Sequence, residues 1–171
     1  GYALPANVEN LVLTGSLNVP GAGNALANVL TGNDGSNALS GGAGNDVLRG
    51  KAGVDTLAGG TGADTFVFDD LGAADKVVDF ASGTDRVALD HAAFAALQWT
   101  GGQLAAGQYQ SVTALAQIAA GVELVYNRTT GQLLYDADGF GAGEASVVVA
   151  IFSSPATGGH PAISAADFQQ F

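Results

Sequence analysis

Residues 23–67 read GNALANVLT, GNDGSNALS, GGAGNDVLR, GKAGVDTLA and GGTGADTFV, five consecutive segments of nine residues. Every segment begins with glycine and carries leucine or phenylalanine at its eighth position. The sixth position is asparagine in the first two segments and aspartate in the last three, at Asn28, Asn37, Asp46, Asp55 and Asp64. A constant period with glycine, a polar residue and an apolar residue in fixed register is typical of stacked β-coils.

Each segment divides into a turn at positions one to six and a short strand around positions seven to nine. Glycine adopts the positive φ angles of tight turns without a Cβ clash. Side chains alternate between the two faces of a strand, so the residue at the eighth position should point into the core. The residues at this position are Leu30, Leu39, Leu48, Leu57 and Phe66. Two segments form one coil, and we therefore expect residues eighteen apart to stack on each other.

This stacking brings polar side chains from the sixth position together in pairs. Ca²⁺ binds six to eight oxygen atoms, from carboxylates and backbone carbonyls alike. Asp46 with Asp64 offers two carboxylates, whereas Asn37 with Asp55 offers one carboxylate and one amide oxygen. The pair formed by Asn28 and Asp46 is the poorest. We expect binding to strengthen toward the C-terminal end of the repeats, with about two to four Ca²⁺ ions in all.

The predicted ligands are carboxylates together with carbonyl oxygens exposed by the glycine-rich turns. Asp75 or Asp79 is expected to complete a terminal site with Asp64, and a solvated turn carboxylate is the alternative. The alternative for the whole pattern is turn chemistry alone, since glycine, asparagine and aspartate are also common turn residues. The predicted metal-binding residues are Gly32, Asp34, Asn37, Gly41, Ala43, Asp46, Gly50, Ala52, Gly53, Asp55, Gly59, Gly60, Thr61, Gly62, Asp64 and Asp79.

The run from GGAGNDVLR to GGTGADTFV, followed by FVF and DKVVDFASGTDRVALD, resembles the C-terminal domains of RTX (repeats-in-toxin) proteins. These hemolysin-type domains close serralysin-type proteases and other large bacterial proteins. The resemblance extends from about Val8 to the end of the chain. It implies a Ca²⁺-bound parallel β-roll, a secreted or cell-surface location, and export by type I secretion machinery that reads an uncleaved C-terminal signal. Asp167 and Phe168 fit such a signal, and Gln169 and Gln170 interrupt it.

The expected fold is all-β, with one compact domain overall. Residues 1–22 should form an N-terminal cap strand, residues 23–67 the β-roll, and residues 68–171 a β-rich C-terminal cap with one or two short helices. The loop after Ser153 contains Pro155 and Gly158. Strands are predicted at 8–15, 76–80, 86–90, 122–126, 133–136 and 145–152, and short helices at 91–97 and 113–119.

Composition narrows the class of function. The net charge is −11, which argues against binding to nucleic acids or anionic membranes. The chain has no cysteine, so metal ions are a plausible substitute for disulfides in a secreted protein. Without metal the stacked aspartates would repel, and folding should therefore be coupled to Ca²⁺ binding. No apolar stretch is long enough for membrane insertion.

We find no catalytic constellation, since neither His91 nor His160 lies in a recognised metal or nucleophile motif. The chain begins as a fragment of a longer protein would, and any enzyme activity is expected in an upstream domain. Asp136 to Gly141 lacks the spacing of an EF-hand and should be a turn. The alternative function is a Ca²⁺-dependent carbohydrate-binding or adhesion module. Its candidate aromatic residues are Trp99, Tyr109, Tyr126 and Tyr135.

Overall fold

The computed structural model describes residues 1–141, 145–154 and 159–171. Within these residues the chain forms seventeen short strands and two 3₁₀ helices, at Leu115–Gln117 and Ala165–Asp167. The first ten strands are β1 (Tyr2–Ala3), β2 (Asn10–Val12), β3 (Gly21–Ala22), β4 (Val29–Thr31), β5 (Ala38–Ala43), β6 (Val47–Arg49), β7 (Thr56–Thr61), β8 (Thr65–Phe68), β9 (Asp75–Val77) and β10 (Arg86–Leu89). The others are β11 (Trp99–Thr100), β12 (Gln103–Leu104), β13 (Tyr109–Val112), β14 (Leu124–Asn127), β15 (Gln132–Tyr135), β16 (Val147–Phe152) and β17 (Phe168–Gln170).

The first ten strands alternate between two parallel sheets. Strands β1, β3, β5, β7 and β9 lie side by side in one sheet, and β2, β4, β6, β8 and β10 in the other. Val29 lies beside Val47, and Val47 beside Thr65, so the neighbours are eighteen residues apart. The predicted two-segment coil and the parallel β-roll are therefore confirmed.

The apolar residues of the repeats form the core between the two sheets. Leu30, Leu48, Leu57 and Phe66 have no exposed surface, and Leu39 is 2% exposed. Full burial of one such side chain stabilises the fold by about 1.5–3 kcal/mol relative to exposure. The prediction that the eighth position points inward is confirmed, and this column of side chains sets the distance between the sheets.

The roll extends beyond the five repeats at both ends. Strands β1 and β2 pair in parallel with β3 and β4, and β9 and β10 pair in parallel with β7 and β8. The residues predicted as cap strands after the repeats thus add another coil in the same two sheets. Longer connections precede β9 and β10, and they increase the spacing between stacked residues from 18 to 20 and 21.

The C-terminal part continues both sheets. β16 pairs in parallel with β9, and β15 pairs antiparallel with both β16 and β14. β13 pairs in parallel with β14, and β17 with β10. The strands predicted at 122–126 and 133–136 are confirmed as the antiparallel pair β14 and β15, and the strand predicted at 145–152 is confirmed as β16, which lies centrally in the larger sheet. Phe80 and Phe152, whose ring centroids are 5.2 Å apart, join this part to the core of the roll.

The helix predicted at 91–97 is wrong. The N–H of Phe94 donates to the carbonyl of Asp90, and the N–H of Leu97 donates to that of Phe94, which gives successive turns. Seven residues are too few to form a stable helix by themselves. The turns already bury Phe94 and Leu97 in the core, so no helix is needed to place these side chains. The helix predicted at 113–119 is reduced to the 3₁₀ turn Leu115–Gln117. No helix among the described residues is long and apolar enough to span a membrane.

The loop predicted after Ser153 is only partly covered by the structure. Pro155 and Gly158 lie outside the described residues. Ser154 and Gly159 form an isolated antiparallel bridge, with the N–H of Ser154 donating to the carbonyl of Gly159 over 2.9 Å.

Candidate metal centre

Two rows of turns run along the roll, one on each side. The long row consists of the turns that end at Asn28, Asp46, Asp64 and Asp85. Along it, each backbone N–H donates to Oδ1 of the next residue in the row, over distances of 2.7, 2.9 and 3.0 Å. We call the space between two successive turns of a row a gap. The first gap of each row is the space between its first turn and the chain segment before that turn, residues 5–9 in the long row and 14–19 in the short row.

The short row consists of the turns that end at Asn37, Asp55 and Asp75. The N–H of Asn37 donates to Oδ1 of Asp55 over 2.6 Å, and that of Asp55 donates to Oδ1 of Asp75 over 2.9 Å. The predicted pairing of Asn37 with Asp55 is therefore present. Asp75 lies in this row and not beside Asp64, because β9 belongs to the sheet of β7.

Asp85 is the residue that sequence reasoning missed. It is 3% exposed and accepts hydrogen bonds from the N–H groups of Asp64 and Ala81. It stands directly before β10 just as Asp64 stands directly before β8. The signal was therefore present in the sequence, but the spacing of 21 residues from Asp64 does not fit the period of the repeats.

Asp79 lies against the turn that leads to Asp64. Its two oxygens accept hydrogen bonds from the N–H groups of Gly59 and Gly60, at 3.0 and 2.9 Å. Asp79 therefore fixes the backbone of this turn. Its predicted role as a metal ligand stays a prediction.

Two carboxylate oxygens in the turns are buried without a partner. Asp46 is 1% exposed and Asp55 is fully buried, and Oδ2 of each has no hydrogen-bond partner among the described residues. A buried ionised oxygen without a donor or a positive charge is strongly unfavourable. A bound cation removes this penalty, so the residues present fit a metal ion.

The glycine at the first position of each turn makes room for the carboxyl group. A Cβ atom at Gly59 would overlap Oδ2 of Asp64, and the same overlap occurs between Gly41 and Asp46. Gly60 has a φ of +98°, and a Cβ there would overlap the carbonyl of the neighbouring turn. Side chains at these positions would therefore fill the space next to the carboxylates.

Burial raises the pKa of the carboxyl groups in the rows. The pKa is raised to about 6 for Asp55 and Asp64, and to about 7 for Asp75. Desolvation is the largest cause, and neighbouring carboxylates add to it, with Asp70 acting on Asp55 and Asp85 acting on Asp64. A cation between the turns opposes both effects because it favours the charged form.

Backbone oxygens must supply most ligands of any such ion. Among residues 1–141, 145–154 and 159–171, no group of three or more His, Asp or Glu side chains is placed to hold a metal. Ca²⁺ accepts carbonyl oxygens as readily as carboxylates. The predicted ligand residues other than Asp79 lie in the turns of residues 32–37, 41–46, 50–55 and 59–64, and their coordination of a metal stays a prediction.

The aromatic residues predicted as a sugar platform are mostly buried. Tyr126 is fully buried, Tyr135 is 4% exposed, and the hydroxyl of Tyr109 donates to the carbonyl of Ile163 over 2.7 Å. Trp99 is half-buried and packs against the core. Tyr126 and Tyr135 are therefore closed to a sugar, whereas Trp99 and Tyr109 keep part of their surface exposed.

Comparisons with known proteins agree with the repeats and with the fold. Residues 31–66 match the model of the RTX calcium-binding nonapeptide repeat, in four copies. No curated protein matches the chain. The structure is similar to the solution structure of the AlgE6R3 subunit from the Azotobacter vinelandii mannuronan C5-epimerase, with a TM-score of 0.58 and 23% identity, over 96% of this chain and 84% of that chain. This chain therefore carries RTX calcium-binding nonapeptide repeats wound into a parallel β-roll.

Proposed function

We propose that the chain is a module that folds when Ca²⁺ enters the gaps between its aspartate turns. The observation that carries this proposal is the pair of buried oxygens without partners, Oδ2 of Asp46 and Oδ2 of Asp55. These oxygens belong to rows in which like charges stack directly on each other. Folding and metal binding are then one equilibrium, since the metal-free rows repel.

Three gaps are flanked by two carboxylates each, and we propose these as the principal sites. They lie between Asp46 and Asp64, between Asp64 and Asp85, and between Asp55 and Asp75. Two carboxylates neutralise one Ca²⁺, and the carbonyls of the glycine turns complete its coordination. When bound, the ion supplies positive charge and fixes the two turns against each other.

We propose that the module acts outside the cell, after type I secretion of a larger parent protein. Extracellular calcium-binding modules have Kd values of about 10⁻⁴–10⁻³ M, so such sites stay empty in the cytosol. The chain would then remain unfolded for export and fold at the secreted or cell-surface location. Any catalytic activity of the parent is expected in its upstream part.

The C-terminal segment supports this order of events. Phe168 is 2% exposed in β17, and Asp167 accepts hydrogen bonds from the hydroxyl of Ser82 and the N–H of Gly83, both at 2.8 Å. Arg49 lies 4.6 Å from the ring centre of Phe171. In the folded state the tail is thus part of the roll, and the secretion machinery would read it in the unfolded chain.

The carbohydrate-binding alternative stays a prediction. AlgE6R3 is a subunit of a mannuronan C5-epimerase, but at 23% identity the likeness concerns the fold. Buried Tyr126 and Tyr135 do not favour a sugar site.

Circular dichroism of the wild-type chain tests the proposal. In EDTA at pH 7.5 the β-sheet signal should be small and the hydrodynamic radius should approach that of an unfolded chain. Excess Ca²⁺ should restore both, and the same concentration of Mg²⁺ should not, because Mg²⁺ demands a stricter octahedral geometry. A β-sheet signal that is unchanged between EDTA and Ca²⁺ would refute calcium-coupled folding.

A further inference from the structure

The first turn of each row differs chemically from the turns that follow it. Residues 23–28 and 32–37 carry asparagine at both the second and the sixth position, namely Asn24 with Asn28 and Asn33 with Asn37. The later turns carry aspartate at the sixth position and never asparagine at the second. The hydrogen bonds of these four amide side chains show how the asparagine turns differ from the aspartate turns in function.

In the long row the amide nitrogens face the carbonyls of the preceding turn. Nδ2 of Asn24 donates to the carbonyls of Pro5 and Val8, both at 2.8 Å. Nδ2 of Asn28 donates to the carbonyls of Val8 and Glu9, at 3.3 and 3.4 Å. The carbonyl oxygens that border this first gap are therefore satisfied by N–H groups.

The short row repeats the arrangement independently. Nδ2 of Asn33 donates to the carbonyls of Thr14 and Leu17, at 3.2 and 3.1 Å. Nδ2 of Asn37 donates to the carbonyl of Val19 over 3.2 Å. Two turns on opposite sides of the roll thus use asparagine at the second and sixth positions to donate hydrogen bonds to carbonyls of the preceding segment.

The side-chain oxygens are satisfied as well. Oδ1 of Asn28 accepts from the N–H of Asn24 over 2.7 Å, and Oδ1 of Asn37 accepts from the N–H of Asn33 over 2.8 Å. Oδ2 of Asp46 and of Asp55, by contrast, has no partner among the described residues. The asparagine turns are complete as they stand, and the aspartate turns need a cation.

The backbone of the two kinds of turn also differs. In the three aspartate turns of the repeats the second residue has a positive φ, namely Gly42 at 110°, Lys51 at 68° and Gly60 at 98°. Asn24 and Asn33 do not have a positive φ. In the asparagine turns, the N–H of the second residue donates to Oδ1 of the sixth residue. This second residue therefore has a different backbone conformation from its counterpart in the aspartate turns.

We propose that the two asparagine pairs replace calcium in the first gap of each row. Their N–H donors point at the carbonyl oxygens of the preceding segment, and the sixth position of these turns carries an amide in place of a carboxylate. The inference rests on the proposed function, since it assumes that the aspartate gaps bind Ca²⁺. The N-terminal coil is then held together without metal, and the coils that follow depend on metal.

The test uses Asn24→Ala with Asn33→Ala, because these two side chains contact only the first gap of each row. Native mass spectrometry in Ca²⁺ should find the same number of bound ions in this double variant as in the wild type. Asp55→Asn should bind fewer ions. Loss of an ion from the asparagine variant would overturn the proposal. A wild-type chain that binds no Ca²⁺ at all would instead refute the proposed function.

Thermal unfolding provides a second measurement that does not depend on the ion count. It is made in EDTA at pH 5, where protonation of the carboxyl groups relieves their repulsion, and again in Ca²⁺. The asparagine variant should unfold roughly 4–8 °C lower than the wild type in both conditions, because the lost hydrogen bonds are metal-independent. Asp55→Asn should unfold at a lower temperature only in Ca²⁺. An asparagine variant that unfolds at the same temperature as the wild type in EDTA would contradict the proposal.

Discussion

Acidification should stabilise the metal-free chain, which is the opposite of ordinary acid denaturation. The perturbation is a change from pH 7.5 to pH 5 in EDTA. The groups concerned are Asp55 and Asp64, whose pKa is raised to about 6, and Asp75, whose pKa is raised to about 7. The folded chain thus holds protons that the unfolded chain has lost.

The magnitude follows from linkage. The usual aspartate pKa is 3.8, and each unit of difference between folded and unfolded states is worth 1.36 kcal/mol. Above pH 5 the raised pKa values leave about one pH unit each for Asp55 and Asp64 and about two for Asp75, so acidification from pH 7.5 to pH 5 should stabilise the metal-free chain by about 5 kcal/mol at most. The charge of Asp55 acts on Asp75, so the contributions are less than additive.

The sign is fixed by the direction of the shifts. Below pH 3.8 these groups are protonated in both states and contribute nothing. Between pH 3.8 and about pH 7 the unfolded state loses protons first, so the free energy of unfolding falls as the pH rises. Bound Ca²⁺ keeps the carboxylates ionised in the folded state, so stability in Ca²⁺ should rise with pH only up to about pH 5, where the unfolded carboxylates complete their ionisation, and should change little from there to pH 7.5.

Urea unfolding followed by circular dichroism at several pH values measures both trends. Asp138→Asn serves as a control, because this side chain is exposed and follows β15, outside both rows. The control should leave both pH trends unchanged. Metal-free stability that is flat or rises between pH 5 and pH 7.5 would refute the reasoning.

Two further substitutions test the geometry of the turns. Gly60→Ala should prevent folding even in Ca²⁺, because its Cβ would overlap the carbonyl of Gly42. Gly83 also has a positive φ but lies in open space, so Gly83→Ala should lower the free energy of unfolding in urea by only about 1–2 kcal/mol. Equal effects of the two would contradict the close approach of the turns. Lys51→Gly should stabilise the Ca²⁺-bound chain by about 1 kcal/mol, because Lys51 has a φ of 68°. An unchanged urea midpoint would show that no strain is stored there.

The repeats could be predicted almost completely from the sequence, because one period carries both the turn and the strand. The glycine, the polar residue and the apolar residue of each segment determine the coil, and burial of Leu48 and Phe66 follows directly. The strands of the hairpin were also predictable because they flank the turn-like segment NRTTG, and the strand around Val149 was predictable because it is a near-continuous apolar run.

The metal-binding rows were only partly predictable, because their last members lie outside the period. Asp75 and Asp85 continue the rows after connections that are longer than those of the repeats, and only the sheet pairing places them. The roles of Asn24 and Asn33 were hidden for another reason. Asparagine in a turn has several local hydrogen-bonding options, and the carbonyls that they contact lie 16 to 19 residues away.

The most direct test of the central claim is a Ca²⁺ titration of folding for Asp64→Asn beside Asp138→Asn. Asp64 borders two of the proposed gaps, whereas Asp138→Asn removes the same charge from an exposed position that is not part of either row. The Ca²⁺ concentration at the folding midpoint should rise at least about tenfold for Asp64→Asn, equivalent to about 1.4 kcal/mol or more. It should stay near the wild-type value for Asp138→Asn. Equal midpoints for the two variants would contradict calcium binding in the rows.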